Sequence, residues 1–568
     1  MHNKLVNIDY IVFIIYFFIV AGYGYWIYQR KKKKTMDTHD FFLAEGSLTW
    51  WAIGASLIAS NISAEQFIGM SGNGFFVGIA VAAYEWIAAL ALIIVAVWFM
   101  PVYLKNKIFT MPQFLKTRYN ETVSLIMTVF WLFLYVFVNI TAIMYLGALA
   151  INNLVGGGPD MLHLIMVVLA VFAIFITLGG MKVIGYTDVI QVLVLIIGGL
   201  ATTYIALTMV SEKFGLGKDA IAGFHQLLKD APDHFHMILS KPDANTPQND
   251  VNKYLILPGI AMYFAGQWIV NLNYWGCNQY ITQRALGANL QTARTGILFA
   301  ALLKLMMPVI VMLPGIAAYV LYKNGSLHTE MATGGKFNPD NAYSSVLGFL
   351  PNGLKGLSVA ALTAAIVASL AGKANSISTI FTLDIYKKYI KKEATENQMV
   401  WVGRATILAA MFFSIAFTWN DLLGISKEGG FTFIQKYTGF ISPGIFAMFI
   451  LGMFWKRTTG VAAIAGLITG FVMAVIFNNY APQWFGHETF MYTAFINDKG
   501  VYEIPFLIAM GWSFFFTVLV MVVLSMFGPK INPKAFALDK TMFKLSPSTI
   551  LLIVIILLVL MGLYLKFW

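Results

Sequence analysis

Fourteen stretches of this chain are apolar over the length of about 20 residues that an α-helix needs to cross a hydrocarbon core of about 30 Å. Their approximate limits are 8–29, 49–71, 76–101, 122–152, 162–180, 186–210, 255–282, 293–322, 354–386, 400–420, 430–452, 458–479, 503–527 and 546–566. A chain built this way places most of itself in lipid, where only helices and closed barrels satisfy the backbone. The run lengths predict an all-α membrane protein of about fourteen transmembrane helices.

Composition agrees. Charged residues make up 11% of the chain, against roughly 25% in ordinary soluble domains. That excludes a soluble multi-domain enzyme and a disordered scaffold. The net charge of +12 would suggest nucleic acid in a soluble protein, but most of the 38 Lys and Arg residues fall in alternate loops. Arg30 to Lys34, Lys105, Lys107, Lys116, Arg118, Lys182, Arg284, Arg294, Lys387, Lys388 and Arg404 sit on one side if the helices alternate. The positive-inside bias then predicts both termini outside, and no nucleic-acid partner. The first run, followed at once by five basic residues, is longer than a signal-peptide core and reads as a retained helix. With Cys277 as the one cysteine, neither an intramolecular disulfide nor a thiolate metal site is expected.

Two polar loops, roughly 211–254 and 323–353, read as outer and solvated. The first holds Asp233-His234-Phe235-His236, which lacks the carboxylate or cysteine partners of a metal site. Neither a Walker A motif nor HExxH occurs, so nothing supports an enzyme of those classes.

Polar groups at mid-membrane are costly, so the exceptions mark function. The second run carries Asn61-Ile62-Ser63-Ala64-Glu65-Gln66, and the third Tyr84-Glu85-Trp86. The seventh carries Gln267, Asn271, Asn273, Asn278 and Gln279, and the eighth Lys304. Bridging between packed helices accounts for two or three of these. It does not easily account for Glu85 and Lys304 together with two amide clusters. The second and seventh runs each read as a helix interrupted at mid-membrane, five helices apart, each opening a block of five. That spacing points to an inverted-repeat transporter with its substrate between the breaks. The expected organisation is an extra helix and basic loop at 1–47, a first repeat at 48–210 and an outer loop at 211–254. A second repeat at 255–452 and peripheral helices at 453–568 follow.

The donors and acceptors suit a neutral polyol. Glu85 accepts, Lys304 donates, and Gln66, Asn271 and Gln435 do both, while Trp86, Tyr274 and Phe431 offer flat apolar faces. An amino acid would need charge recognition at both ends, and an anion site would avoid Glu85.

Several segments resemble the sodium/solute symporter family, and within it the sodium/glucose cotransporter type. They are Ala55 to Met70, Tyr84-Glu85-Trp86, Tyr186 to Gln191, Tyr274-Trp275-Gly276 with Asn278-Gln279-Tyr280, Leu303-Lys304-Leu305, Leu383 to Lys387, Ser442-Pro443-Gly444 and Phe454-Trp455-Lys456. The resemblance is collinear over nearly the whole chain. It implies a five-plus-five inverted-repeat core of the leucine-transporter kind and sodium-coupled sugar uptake, in a bacterial inner membrane. It implies sugar contacts at Gln66, Glu85, Asn271, Lys304 and Gln435. Tyr274 would close the inner side with Asn61 as its partner, and Met70, Tyr84 and Phe431 would form an outer gate. Ala88 stands where the family places a serine contact.

For sodium, the resemblance implies the carbonyls of Ala59, Ile62 and Ala365 with the Ser369 hydroxyl. Ala368 replaces an expected serine, and Ala371 and Gly372 replace the ligands of a second sodium, so that second ion is not expected. Asp188 matches a residue on the sodium exit path. Lys373 either pairs with Asp188 or snorkels towards the inner surface. Glu65 has no assigned role. Transport of myo-inositol or another polyol, coupling to protons, and a passive sugar pathway or sensor remain the other readings.

Overall fold

The computed structural model describes residues 5–30, 41–42, 48–63, 65–333, 336–420, 422 and 430–568. The chain begins with α1 (Asn7–Arg30). Then come α2 (Trp50–Asn61), a π-helical turn (Glu65–Met70) and α3 (Ser71–Phe76). Next are α4 (Ile79–Lys105), α5 (Glu121–Val155), α6 (Pro159–Thr177) and α7 (Met181–Lys213). The middle of the chain forms α8 (Gln248–Phe264), α9 (Gly266–Cys277), α10 (Gln279–Leu286) and α11 (Leu290–Lys323). It continues with α12 (Leu354–Ile390), α13 (Glu396–Thr418), α14 (Gly430–Gly439) and α15 (Ser442–Phe454). The last helices are α16 (Gly460–Phe485), α17 (Phe506–Met526) and α18 (Pro547–Phe567).

Among the described residues, 11 helices are long and apolar enough to cross a membrane. The other three predicted runs are those in which the helix breaks. Ile62 ends α2 in an extended conformation, φ −80° and ψ 108°. Asn278 does the same after α9, φ −104° and ψ 125°. α8 and α9 are bent by 81° at Ala265, and Ser442-Pro443 restarts the chain as α15 after α14. Proline suits the first turn of a helix because its missing N–H would be unpaired there. The breaks at Ile62 and Asn278 lie at the two polar clusters, where short polar side chains compete with the helical ladder.

The chain divides into two compact units. The first is Met1–Ile79, Thr128–Phe235 and Gln283–Ile434, and the second is Ala80–Met127, His236–Thr282 and Gln435–Trp568. In the first unit, small residues let backbones approach, as is usual where helices meet in lipid. A Cβ added to Gly54 on α2 would lie 2.7 Å from the Gly296 carbonyl oxygen on α11. One added to Gly198 on α7 would lie 2.8 Å from Ala361 on α12. The Ser358 hydroxyl of α12 also donates to the Gly198 carbonyl at 3.1 Å. Asp9 of α1 accepts from the Gly353 and Gly356 amides at 2.6 and 3.0 Å, capping the start of α12. In the second unit the Tyr103 hydroxyl on α4 donates to the Gly276 carbonyl on α9 at 2.6 Å.

Some polar residues depart from their predicted surroundings. His234 is buried: its Nε2 lies 3.0 Å from the Phe75 carbonyl and its ring stacks on Tyr319. Only His236 of that pair is exposed. Arg118, Arg284 and Arg294 are also buried rather than solvated loop charges. Arg118 donates to the carbonyls of Gly452, Trp455 and Thr458 at 2.6 to 3.0 Å, so it satisfies the end of α15. Hydrogen-bonded cations at helix C-termini neutralise the orphan carbonyls there. Lys31 to Lys34, Ala64, and the side chains of Glu65, Phe431 and Lys436 lie outside the described residues.

Candidate functional site

In the first unit, the break after α2 sets the geometry. Asn61 is the last residue of α2, and Gln66 and Met70 ride on the π-helical turn. Such turns widen a helix by one residue and are frequent at functional positions. Met70 is fully buried. The Gln66 Oε1 is buried and, among the described residues, meets no hydrogen-bond partner. A buried acceptor left unmade costs on the order of 1–3 kcal/mol, which a ligand donor would recover. Lys304 is buried halfway along α11, the helix held against α2 by the Gly54–Gly296 approach.

In the second unit, Tyr84 and Glu85 are buried in the early turns of α4. Asn271 is buried on α9, where its Nδ2 donates to the Gln267 carbonyl at 2.9 Å and to Gln267 Oε1 at 3.2 Å. The Tyr274 hydroxyl accepts from Tyr280, across the Asn278 break. Tyr280 is a partner that sequence reasoning did not identify. Asn273 donates to Ser442 Oγ at 3.0 Å, tying α9 to α15. Gln435 lies half-buried on α14. The Trp86 ring meets Tyr564 of α18 in a T-shaped contact, centroids 5.5 Å apart. Ala88 is buried one turn beyond Glu85 and offers no hydroxyl.

The oxygen-rich region implied for sodium lies within the first unit. Ending α2 at Asn61 frees the carbonyls of its last turn, which include Ala59. The Ser369 hydroxyl of α12 donates to the Ser60 carbonyl at 2.9 Å. Ala59, Ile62, Ala365, Ala368 and Ser369 are all buried. The hydroxyls of Ser60 and Ser63 are buried without a hydrogen-bond partner among the described residues. All the donors are oxygens, as a hard cation requires.

Asp188 is paired with an arginine. Its Oδ2 accepts the Ser56 hydroxyl and lies 3.8 Å from Arg284 Nη2. Arg284 Nε donates to the same Ser56 Oγ at 2.7 Å. The Arg284 guanidinium therefore neutralises Asp188 from α10. Lys373 is itself buried on α12. Arg284 resembled a loop charge because its sequence neighbours are polar, and only folding places it beside α7.

The profile described as SSF, Sodium:solute symporter family, matches residues 41–470. The Sodium/glucose cotransporter of Vibrio parahaemolyticus is 42% identical over 579 residues, covering 100% of this chain and 99% of that protein. The Sodium/myo-inositol cotransporter 2 of Mus musculus is 34% identical over 479 residues, covering 82% of this chain and 69% of that protein. Among solved structures, the substrate-bound outward-open state of a Na+-coupled sialic acid symporter superposes with a TM-score of 0.73 at 21% identity. It covers 93% of this chain and 99% of that one. The likeness gives the fold, an all-α membrane protein with a five-plus-five inverted-repeat core. By the family profile and by identity across its whole length, the chain belongs to the sodium:solute symporter family.

Proposed function

We propose that this chain is a sodium-driven symporter of a neutral hexose, glucose or galactose. The observation that carries the substrate reading is the buried Gln66 Oε1, which meets no hydrogen-bond donor among the described residues and sits on a π-helical turn next to a helix break. A sugar hydroxyl satisfies it and accepts in return from other groups. The relative of highest identity among those named above, at 42%, is called a sodium/glucose cotransporter and is matched along its whole length.

In this reading, Gln66, Glu85, Asn271, Lys304 and Gln435 hold the sugar. Met70, Tyr84 and Phe431 close it off outside, and Tyr274 with Asn61 closes it off inside. Sodium binds the carbonyls of Ala59, Ile62 and Ala365 and the Ser369 hydroxyl, so it bridges α2 and α12. Binding there favours the outward-open form, sugar then closes the outer gate, and inward opening releases both. Asp188 lies on the route by which sodium leaves. The protein sits in a bacterial inner membrane with both termini outside. The repeats run over 48–210 and 255–452, flanked by the helices at 1–47 and 453–568 and joined by the outer loop at 211–254.

A second reading, sodium-coupled uptake of myo-inositol, rests on Ala88, which removes one hydroxyl contact, and on the inositol cotransporters at 34% identity. Uptake of labelled sugars into proteoliposomes, with and without a sodium gradient, separates the readings. Accumulation of a hexose only with the gradient is the expected result. Accumulation of myo-inositol alone favours the second reading. Equilibration that ignores sodium indicates a passive pathway.

A further inference from the structure

The helix break in the second unit is held by contacts that the sugar and sodium assignments leave unused. α9 ends at Cys277 and the chain turns extended at Asn278, so the last carbonyls of α9 lose their helical N–H partners. The Tyr103 hydroxyl of α4 donates to one of them, Gly276, at 2.6 Å, and Tyr103 is fully buried. Gly276 lets α4 come this close. A Cβ there would lie 2.6 Å from the ring of Phe99, on the same helix as Tyr103.

Past the break, the chain is held by the segment that follows α4. Gln279, the first residue of α10, accepts from the Met111 amide at 2.7 Å and donates to the Phe109 carbonyl at 3.5 Å. The two anchors, Gly276 and Gln279, bracket Cys277 and Asn278. Tyr274 stands just before this bracket and Tyr280 just after it. The Tyr280 hydroxyl donates to the Tyr274 hydroxyl, and the rings meet edge to face with centroids 5.6 Å apart. In a continuous helix, residues six apart do not share a face. The two tyrosines therefore meet only because the break has the geometry that its anchors fix.

We propose that Tyr103 is a positioning residue for the inner closure at Tyr274. With Gln279 it fixes the break, and the break brings Tyr280 onto Tyr274. The proposal rests on the symport reading for what Tyr274 closes off, and not for the clamp itself. Releasing the anchor loosens the closure, so sugar leaks past it.

Cys277, the one cysteine of the chain, is buried inside the bracket and serves as the reporter. A buried thiol reacts only when its surroundings open, so its alkylation rate follows that opening. The test treats the purified full-length protein with N-ethylmaleimide. It also measures sodium-free efflux of preloaded labelled galactose or glucose from proteoliposomes. Tyr103→Phe removes one oxygen and keeps the ring. It should speed Cys277 alkylation by about three- to tenfold, as expected for one lost hydrogen bond. Efflux should rise severalfold, with the half-saturating sugar concentration of sodium-driven uptake unchanged. Gly276→Ala leaves Tyr103 untouched but forces the break away from Phe99, and should act in the same direction. Tyr280→Phe should leak as Tyr103→Phe does, and the double variant no more than either, because both act through the same pair. Alkylation at the wild-type rate in both Tyr103→Phe and Gly276→Ala overturns the proposal and leaves the symport reading intact. Faster alkylation with unchanged efflux also overturns it, as does a double variant that leaks by the sum of the two. If wild type carries no hexose, the symport reading falls, and the clamp stands or falls on the alkylation rates.

Discussion

The Ser369 hydroxyl on α12 donates to the Ser60 carbonyl at 2.9 Å, one residue before the end of α2. This bond joins the interrupted helix to the helix that would complete an oxygen shell around sodium. Removing it should loosen that shell without unfolding the protein. Ser369→Ala is expected to raise the half-saturating sodium concentration for sugar uptake about tenfold, the equivalent of about 1.4 kcal/mol. Ala368→Ser should lower it by adding a neighbouring hydroxyl. Sodium titration of uptake at fixed sugar checks both, and unchanged sodium dependence in both variants would remove Ser369 from the shell.

The sugar contacts predict a different pattern. Gln66→Ala and Lys304→Ala should each abolish sugar accumulation, while the protein remains folded in the membrane. Both residues lie within the first unit, and Lys304 is buried on a helix held by glycine approaches rather than by its own side chain. Uptake assays paired with size-exclusion profiles of the extracted protein separate loss of function from loss of fold.

The residues of the candidate site are legible in the sequence for a physical reason. Asn61, Gln66, Glu85, Asn271 and Lys304 stand out because lipid penalises polar groups, so each exception announces itself within an apolar run. The breaks at Ile62 and Asn278 followed from the same contrast. Arg284 did not stand out, because it sits in a locally polar segment and its burial depends on Asp188, 96 positions away in the sequence (284 − 188). His234 was missed for the same reason: Phe75 and Tyr319 bury it, and neither is near it in the sequence. Trp86 gave an aromatic signal, but its partner Tyr564 lies at the far end of the chain.

The loop before α12 carries a pH dependence. Asp340 packs against Gly72 of α3, where an added Cβ would lie 2.6 Å from its Oδ1, and burial pushes its carboxyl up to about 6. A carboxyl raised in the folded state is penalised once ionised. Its protonated form is the stable one, and stability falls as pH rises from about 3.8 towards about 6. Asp340→Asn should therefore raise the thermal midpoint at pH 7, by the equivalent of at most about 3 kcal/mol, and have little effect near pH 4. Melting curves at the two pH values check the sign, and a variant destabilised at pH 7 would contradict it.

Asp9 predicts a structural role for the first helix. Its carboxylate caps the start of α12 through the Gly353 and Gly356 amides, and it also accepts from the Val6 amide at 3.0 Å. Replacing a cap of this kind costs about 1–2 kcal/mol. Asp9→Ala should lower thermal stability by that amount, and Asp9→Asn by less, with the sodium dependence of uptake unchanged. An equal loss in both variants would point to charge rather than hydrogen bonding as the cause.

The central claim is sodium-driven hexose symport, and the most direct measurement is uptake of labelled galactose and glucose into proteoliposomes holding the purified chain. With an inward sodium gradient, the account predicts that one of these sugars accumulates above its outside concentration, and that collapsing the gradient abolishes the accumulation. Failure to accumulate either hexose under the sodium gradient, in protein that is folded and inserted, would contradict it.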